Sequence, residues 1–405
     1  MLPGRLSDVA GWVIQAGLAG KSEPMMLAEF CRRSVVAGLP LTRAAVVIDT
    51  LHPVHEGRAF RWRREDDGDA ELIEYGSTTD GEAAANWHAS AFYHLVETGD
   101  SLLRCKIAPG NRSEFPQVDA FAVEGMTEYV AIINRFARQG VLGEIDCVYS
   151  YWVTDRPGGF SDAEVGEIVS IMPSLALAVK CASLTRIAGT LVETYLGRDP
   201  GRHVLRGHIG RGVAERIRAA LWFSDLRDFT RIADQVEPHQ LIPFLNDYAE
   251  VVISAIHDHG GDVLKLIGDG VLAVFTGETL EPACRSAIAA EADLRYHLGR
   301  LNQRRAFEGL PTTEIYLGLH VGEVFYGNIG SKDRLDFTVV GPAVNEVSRI
   351  ATMCRSIDRE LLVSEAFAEA MTEAERARLV SAGRYALRGV DRPQHLFTRD
   401  PFAGA

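Results

Sequence analysis

The sequence predicts an α+β protein of two domains, on three observations. Its 405 residues exceed what one ordinary core holds and suit two domains of roughly 100–200 residues each. Helical and strand-like apolar patterns alternate along both halves. A Gly- and Arg-rich stretch, Gly197 to Gly212, separates the halves with the composition of a linker or hinge.

Composition narrows the function. Apolar residues at 47% and charged residues at 24% belong to a soluble globular chain, not a disordered or fibrous one. The 42 Lys and Arg against 55 Asp and Glu leave −13, with the basic residues scattered, so no basic stripe offers a footprint for nucleic acid. An acidic molecule that handles an anionic ligand must concentrate positive charge locally, through a metal ion or a few placed Lys and Arg residues. The start, Met1-Leu2-Pro3-Gly4-Arg5, lacks a signal peptide's apolar stretch. The stretch Ile168 to Leu184 is interrupted by Pro173 and Lys180 and falls short of the ~20 apolar residues of a membrane span. The expected location is cytoplasmic, without membrane contact. Six cysteines without a Cys-x-x-Cys pair argue against a zinc site or disulfide framework.

In the first domain, residues 1–160, Met25 to Val36 repeats at helical spacing and Ala44 to Ile48 suits a buried strand. Asp66 to Asp69 and Ser77 to Glu82 read as loops. Residues 161–212 are the expected linker helix and hinge. Ser161 and Glu164 stand as in a capping box, and Val165, Ile168, Met172, Leu175, Val179 and Ala182 follow at 3-4-3-4-3 spacing, with Pro173 expected to kink the helix. That stripe either covers its own domain or forms a dimer helix that carries a signal onward. Residues 213–400 read strand (Ala219 to Phe223), helix (Pro238 to His257), strands (Val263 to Ile267 and Val271 to Phe275), helix (Pro282 to Leu301) and strand (Ile315 to Val321). Leu241, Leu245, Tyr248, Val252 and Ile256 mark one buried helix face. The β-α-β-β-α-β order is that of a ferredoxin-like sheet with helices on one side.

Two carboxylates stand where apolar strands end. Asp225 follows Leu221-Trp222-Phe223-Ser224, and Asp269 lies in the turn Gly268-Asp269-Gly270, whose glycines suit the positive φ of a tight hairpin. Asp-Gly is also the commonest hairpin signal, so Asp269 alone reads equally as a turn former. Together, two strand-end carboxylates make a hard-oxygen site suited to Mg²⁺.

Three segments carry a resemblance. Phe223-Ser224-Asp225-Leu226-Arg227-Asp228-Phe229-Thr230, Lys265-Leu266-Ile267-Gly268-Asp269-Gly270 and Asp336-Phe337-Thr338-Val339-Val340-Gly341-Pro342-Ala343-Val344-Asn345-Glu346-Val347-Ser348-Arg349 resemble, in order and spacing, the signatures of class III adenylate and guanylate cyclases. The resemblance covers about residues 213 to 398. It implies conversion of ATP to 3′,5′-cyclic AMP and pyrophosphate, with two Mg²⁺ or Mn²⁺ ions per site held by Asp225, Asp269 and the Leu226 carbonyl. It also implies that Asn345 orients the ribose and Arg349, four residues on and so on the same helix face, stabilises charge on the α-phosphate. Arg388 matches a terminal-phosphate cation. Lys332 and Arg334 are further phosphate candidates or simply solvated loop charges. Lys265 and Thr338 match base-reading positions of the adenylate-forming subclass in which Thr replaces Asp; adenine N1 and N6 ask for one donor and one acceptor, and guanine inverts that demand.

In this family the site is shared between two cyclase domains, so one copy per chain implies a homodimer through the cyclase domain and linker helix. Two departures stand out. Asp228 replaces a common Gly and is expected to point away from the nucleotide, and Pro342 replaces a common Asp but can open a helix. Residues 20 to 185 resemble a GAF-type sensor domain, from Leu39-Pro40-Leu41 through Gly159-Phe160-Ser161-Asp162, whose regulatory ligand is unknown. His52, His55, His88 and His94 form no ligand spacing. A guanylate cyclase, or a silent cyclase-fold signalling or dimerisation module, stands as the alternative.

Overall fold

The computed structural model describes residues 6–399 apart from 109, 111, 137–141, 144, 213 and 391. The expectation for the first five residues and the outer bounds 213 and 400 lie outside the described residues. The chain divides into two compact units between Leu191 and Val192.

The N-terminal unit runs α1 (Leu6–Leu18), α2 (Glu23–Val36), β1 (Arg43–Asp49), β2 (Gly57–Arg63), β3 (Glu71–Tyr75), α3 (Gly81–His88), α4 (Ala91–Thr98), β4 (Leu102–Lys106), α5 (Pro116–Val123), β5 (Glu128–Arg135), β6 (Cys147–Thr154) and α6 (Asp162–Leu196). Its strands form an antiparallel sheet in the order β3-β2-β1-β6-β5-β4. Period-two alternation splits the core. Val46, Val130 and Trp152 pack with α1, α2 and α6, whereas Ala45, Ala131 and Tyr151 face α4 and α5. The expected helix and strand fall within α2 and β1.

The Ser161–Glu164 box forms: Glu164 N donates to Ser161 Oγ at 3.3 Å and Ser161 N to Glu164 Oε2 at 2.7 Å. The stripe behind it resolves in favour of the domain's own core. Val165, Ile168, Met172, Leu175 and Val179 are all buried there, so these side chains are already covered and cannot form the expected dimer seam. By length and composition alone α6 is long and apolar enough to cross a membrane.

The C-terminal unit adds α7 (Arg198–Leu205), β7 (Ala214–Leu226), α8 (Phe229–Gln235), α9 (Pro238–Asp258), β8 (Asp262–Ile267), β9 (Gly270–Phe275), α10 (Leu280–Phe307), β10 (Ile315–Gly330), β11 (Leu335–Val340), α11 (Pro342–Ser356), β12 (Leu361–Ser364), α12 (Glu365–Ala370), α13 (Glu373–Arg376), β13 (Leu379–Tyr385) and β14 (Gln394–Arg399). The segment read as a hinge therefore contains a helix. α7 is fastened to its unit by Tyr326, whose hydroxyl donates to Asp199 at 2.5 Å, and by His203 stacked 5.4 Å from Phe337.

The sheet order is β13-β14-β12-β10-β7-β9-β8, with β11 paired to the second half of β10. Only β10 and β12 run parallel. β7 through β10 follow the predicted order. On α9, Tyr248, Val252 and Ile256 are buried as expected, together with Phe244, while Leu241 and Leu245 are partly covered.

The two helices of the β-α-β-β-α-β run share one side of the sheet, as the strand order suggested. α9 and α10 cover Ala220, Trp222 and Val271, but α11 sets Ala343 and Val347 against Leu221, Val324 and Val339 on the opposite face. Gly318 permits this approach: a Cβ there would lie 2.7 Å from Ala351 N and 2.8 Å from Val347 O. Both are backbone atoms and cannot rotate away. Gly318→Ala should therefore destabilise the protein by about 1–3 kcal/mol through overpacking, read as a lower urea midpoint for the full chain at unchanged m-value.

Candidate active site

Alternation along β7 sends Ala220, Trp222 and Leu226 towards α9 and α10, and Leu221 and Phe223 to the other face. Asp225 continues the second set. Asp269 comes from the β8–β9 hairpin, in which Ile267 pairs with Gly270. Gly268, at φ 64°, supplies the positive φ of a tight two-residue turn. Gly270 serves differently from the expectation: its φ is not positive, and its bare Cα lets the hairpin approach β7, where a Cβ would sit 3.1 Å from Ser224 O.

The hairpin brings Asp269 onto the end of β7. Leu226 N donates to Asp269 Oδ2 at 3.3 Å, and the Asp225 and Asp269 carboxylates are in hydrogen-bond contact. Burial, then the Asp269 hydrogen bond and charge, push Asp225 up to about 7, against an opposing pull from Arg355 and the Leu226 backbone. Two carboxylates in contact, one of them driven towards neutrality, form a site whose uncompensated charge a divalent cation would relieve. Among the described residues no group of three or more His, Cys, Asp or Glu could hold a metal. A carboxylate pair instead suits Mg²⁺ or Mn²⁺, which keep waters and take further oxygens from a phosphate ligand.

The other predicted residues occupy separate positions in the unit. Asn345 and Arg349 are exposed on α11, which Pro342 opens as expected. Glu346 between them lies 3.4 Å from His320, a β10 residue whose Nδ1 is 2.9 Å from Ser364 Oγ and whose pKa burial pushes down to about 4. Lys265, exposed on β8, is ion-paired with Asp336 on β11. Thr338, two residues further along β11, is buried. Lys332 and Arg334 are exposed at the β10–β11 turn, and Arg388 is exposed between β13 and β14.

Asp228 holds φ 55°, ψ 27° at the start of α8 with no side-chain cap bond. Glycine adopts this left-handed conformation most easily, and Asp tolerates it better than most residues do. Sequence reasoning passed over Asp336 and Arg355. Asp336 stood inside a quoted segment, one strand repeat from Thr338; Arg355 acts on Asp225 only because α11 folds back over the sheet.

Residues 214–398 match the sequence model of the adenylate and guanylate cyclase catalytic domain. Adenylate cyclase of Anabaena cylindrica is 33% identical over 158 residues, covering 38% of this chain and 31% of that protein. Adenylate cyclase 1 of Rhizobium meliloti (strain 1021) is 30% identical over 258 residues, 62% of this chain and 38% of that protein. The chain thus spans well under half the length of these curated relatives. Among solved structures, the adenylyl cyclase CyaB from P. aeruginosa is 24% identical with a TM-score of 0.42, over 46% of this chain and 96% of that one. The guanylyl cyclase Cya2 is 27% identical with a TM-score of 0.41, over 47% and 97%. The family match thus falls on the stretch that carries Asp225, Asp269, Asn345 and Arg349.

Proposed function

We propose that the chain is a homodimeric, cytoplasmic adenylate cyclase of class III whose N-terminal unit, a GAF-type sensor for an unknown ligand, regulates the catalytic unit. The observation that carries the catalytic reading is the contact between Asp225 and Asp269, a like-charge pair at the strand ends. It is supported by Lys265 and Thr338 as a donor and an acceptor for adenine.

The 3′-oxygen of ATP attacks the α-phosphorus in line, the bond to the β-phosphate oxygen breaks, and pyrophosphate leaves. Asp225, Asp269 and the Leu226 carbonyl would hold two Mg²⁺ or Mn²⁺ ions, whose charge would acidify the attacking hydroxyl and neutralise the triphosphate. Asn345 orients the ribose. Arg349 meets the charge growing on the α-phosphate with its fixed fork of donors. Arg388, with Lys332 and Arg334, receives the outer phosphates. Lys265 donates to adenine N1 and Thr338 accepts from N6.

The shared site is supported by what the C-terminal unit leaves uncovered. Leu266, Ile267, Phe325, Ile329 and Val340 are exposed along the β8–β9 hairpin and the β10–β11 arm, with Phe325 directly opposite Val340. A second copy would bury this apolar surface.

The full chain assayed with ATP or GTP and Mg²⁺ or Mn²⁺ should form cyclic AMP; preferential cyclic GMP formation, or none of either product, would overturn the reading. Asp225→Ala and Asn345→Ala chains, each inactive, should regain activity when mixed, because one of the two sites in the mixed dimer is intact. Silence from proven mixed dimers rejects the shared site.

Metal and pH should be linked. Asp225 titrates near 3.9 when unfolded and near 7 when folded without metal, so its raised value favours the fold below the lower figure and loses that contribution as pH rises through the higher one. Metal binding reverses the preference by favouring the ionised pair. Mn²⁺ should therefore raise the melting temperature more at pH 7.5 than at pH 5.5, and Asp269→Asn should abolish most of that increment.

A further inference from the structure

Lys265 reaches its position through an irregularity in β8. Val263 pairs with Ala273 and Lys265 with Leu272, so Leu264 is an extra residue on its strand. Such a bulge breaks the alternation that would send neighbouring side chains to opposite faces. Here Leu264 packs in the cluster that contains Phe337, and Lys265, the next residue, is ion-paired with Asp336, the residue before Phe337. Consecutive side chains of β8 thus both meet β11, although among the described residues β8 pairs as a strand with β9 and β11 with β10.

On β11 the alternation is regular. Phe337 and Val339 enter the core, which leaves Asp336 and Thr338 together on the other face. Asp336 therefore holds the Lys265 ammonium on the face of β11 that carries Thr338.

We propose that Asp336 is a positioning and specificity-determining residue: its carboxylate fixes the Lys265 ammonium as a hydrogen-bond donor for adenine N1. The inference rests on the adenylate reading. Lys265 has a flexible four-carbon stem and three donors. Asp336 restrains the stem, takes part of the donor set and leaves an ammonium proton for the base. It also keeps its own oxygens engaged, so they are not offered to the N1–H and N2–H donors of guanine. Both side chains are nearly half exposed, and ion pairs of that kind add little to folding. A purely structural clamp is a weak use for a bulge that redirects a lysine next to the metal hairpin.

The test compares full-length wild type with Asp336→Asn and Asp336→Glu, measuring kcat and KM for ATP and for GTP with Mn²⁺ together with melting temperature. Asp336→Asn should raise the KM for ATP about tenfold, as expected for loss of a hydrogen bond to a charged group, with a smaller change in kcat and little change for GTP. The ATP-to-GTP ratio of kcat/KM should fall accordingly, and Asp336→Glu should restore most of it at unchanged melting temperature. If wild type prefers ATP but Asp336→Asn keeps the ratio, or loses both activities in step with a lower melting temperature, the inference is overturned while the adenylate reading stands. If wild type prefers GTP or forms no cyclic nucleotide, the reading fails and takes the inference with it.

Discussion

The C-terminal unit is organised around two carboxylates brought into contact, Asp225 and Asp269. Asp225 is carried by β7, the strand between β10 and β9, and Asp269 by a two-residue hairpin. Neither can retreat: β7 is locked into β9 and β10 by a long continuous register, and Gly270 lets the hairpin lie against Ser224 O. Burial first, and Asp269 second, raise the Asp225 carboxyl. A site of this kind holds its uncompensated charge in the rigid part of the fold, and in the proposed reaction that is the preformed seat for the metal ions.

The β8–β9 hairpin has a second task. Its turn presents Asp269, and the bulge one strand-length back aims Lys265 at β11. In the proposed shared site Asp269 of one chain and Lys265 of the other act on the same nucleotide, so the hairpin of each chain contributes to both sites of the dimer. β11 is in turn held by α7, through the stacking of His203 on Phe337, itself flanked by Asp336 and Thr338. α7 directly follows α6 in the chain, and the segment that looked like slack linker contacts the strand that carries Asp336 and Thr338.

α6 has its apolar stripe inside the N-terminal core rather than on a partner helix. Its start is fixed by the Ser161–Glu164 box and by Glu128, a fully buried carboxylate that accepts from Phe160 N at 2.6 Å and pairs with Arg104 and Lys106. Buried charges of this kind are held only when several donors converge on them. Events in the β5–β6 region of this unit are thus mechanically tied to the first turn of α6.

The sequence by itself determined the order of β7, α9, β8, β9, α10 and β10 though not α8, the capping of α6, the helix that places Asn345 and Arg349 on one side, and the identity of Asp225 and Asp269 as a pair. Those features depend on local periodicity, turn chemistry and motifs, which a linear reading contains. Only tertiary structure decided which face each stripe meets. The 3-4-3-4-3 spacing of Val165 to Ala182 is the same whether a helix packs on its own sheet or on a second chain, and the answer came from the competing core. The glycine- and arginine-rich segment looked extended because composition cannot show that Asp199 and His203 have partners more than a hundred residues away. Gly318 gave no local sign that α11 would cross β10, and the bulge that turns Lys265 to Asp336 exists only in the pairing of β8 with β9. Contacts between residues distant in sequence depend on the summed packing of many elements, and no short window carries that sum.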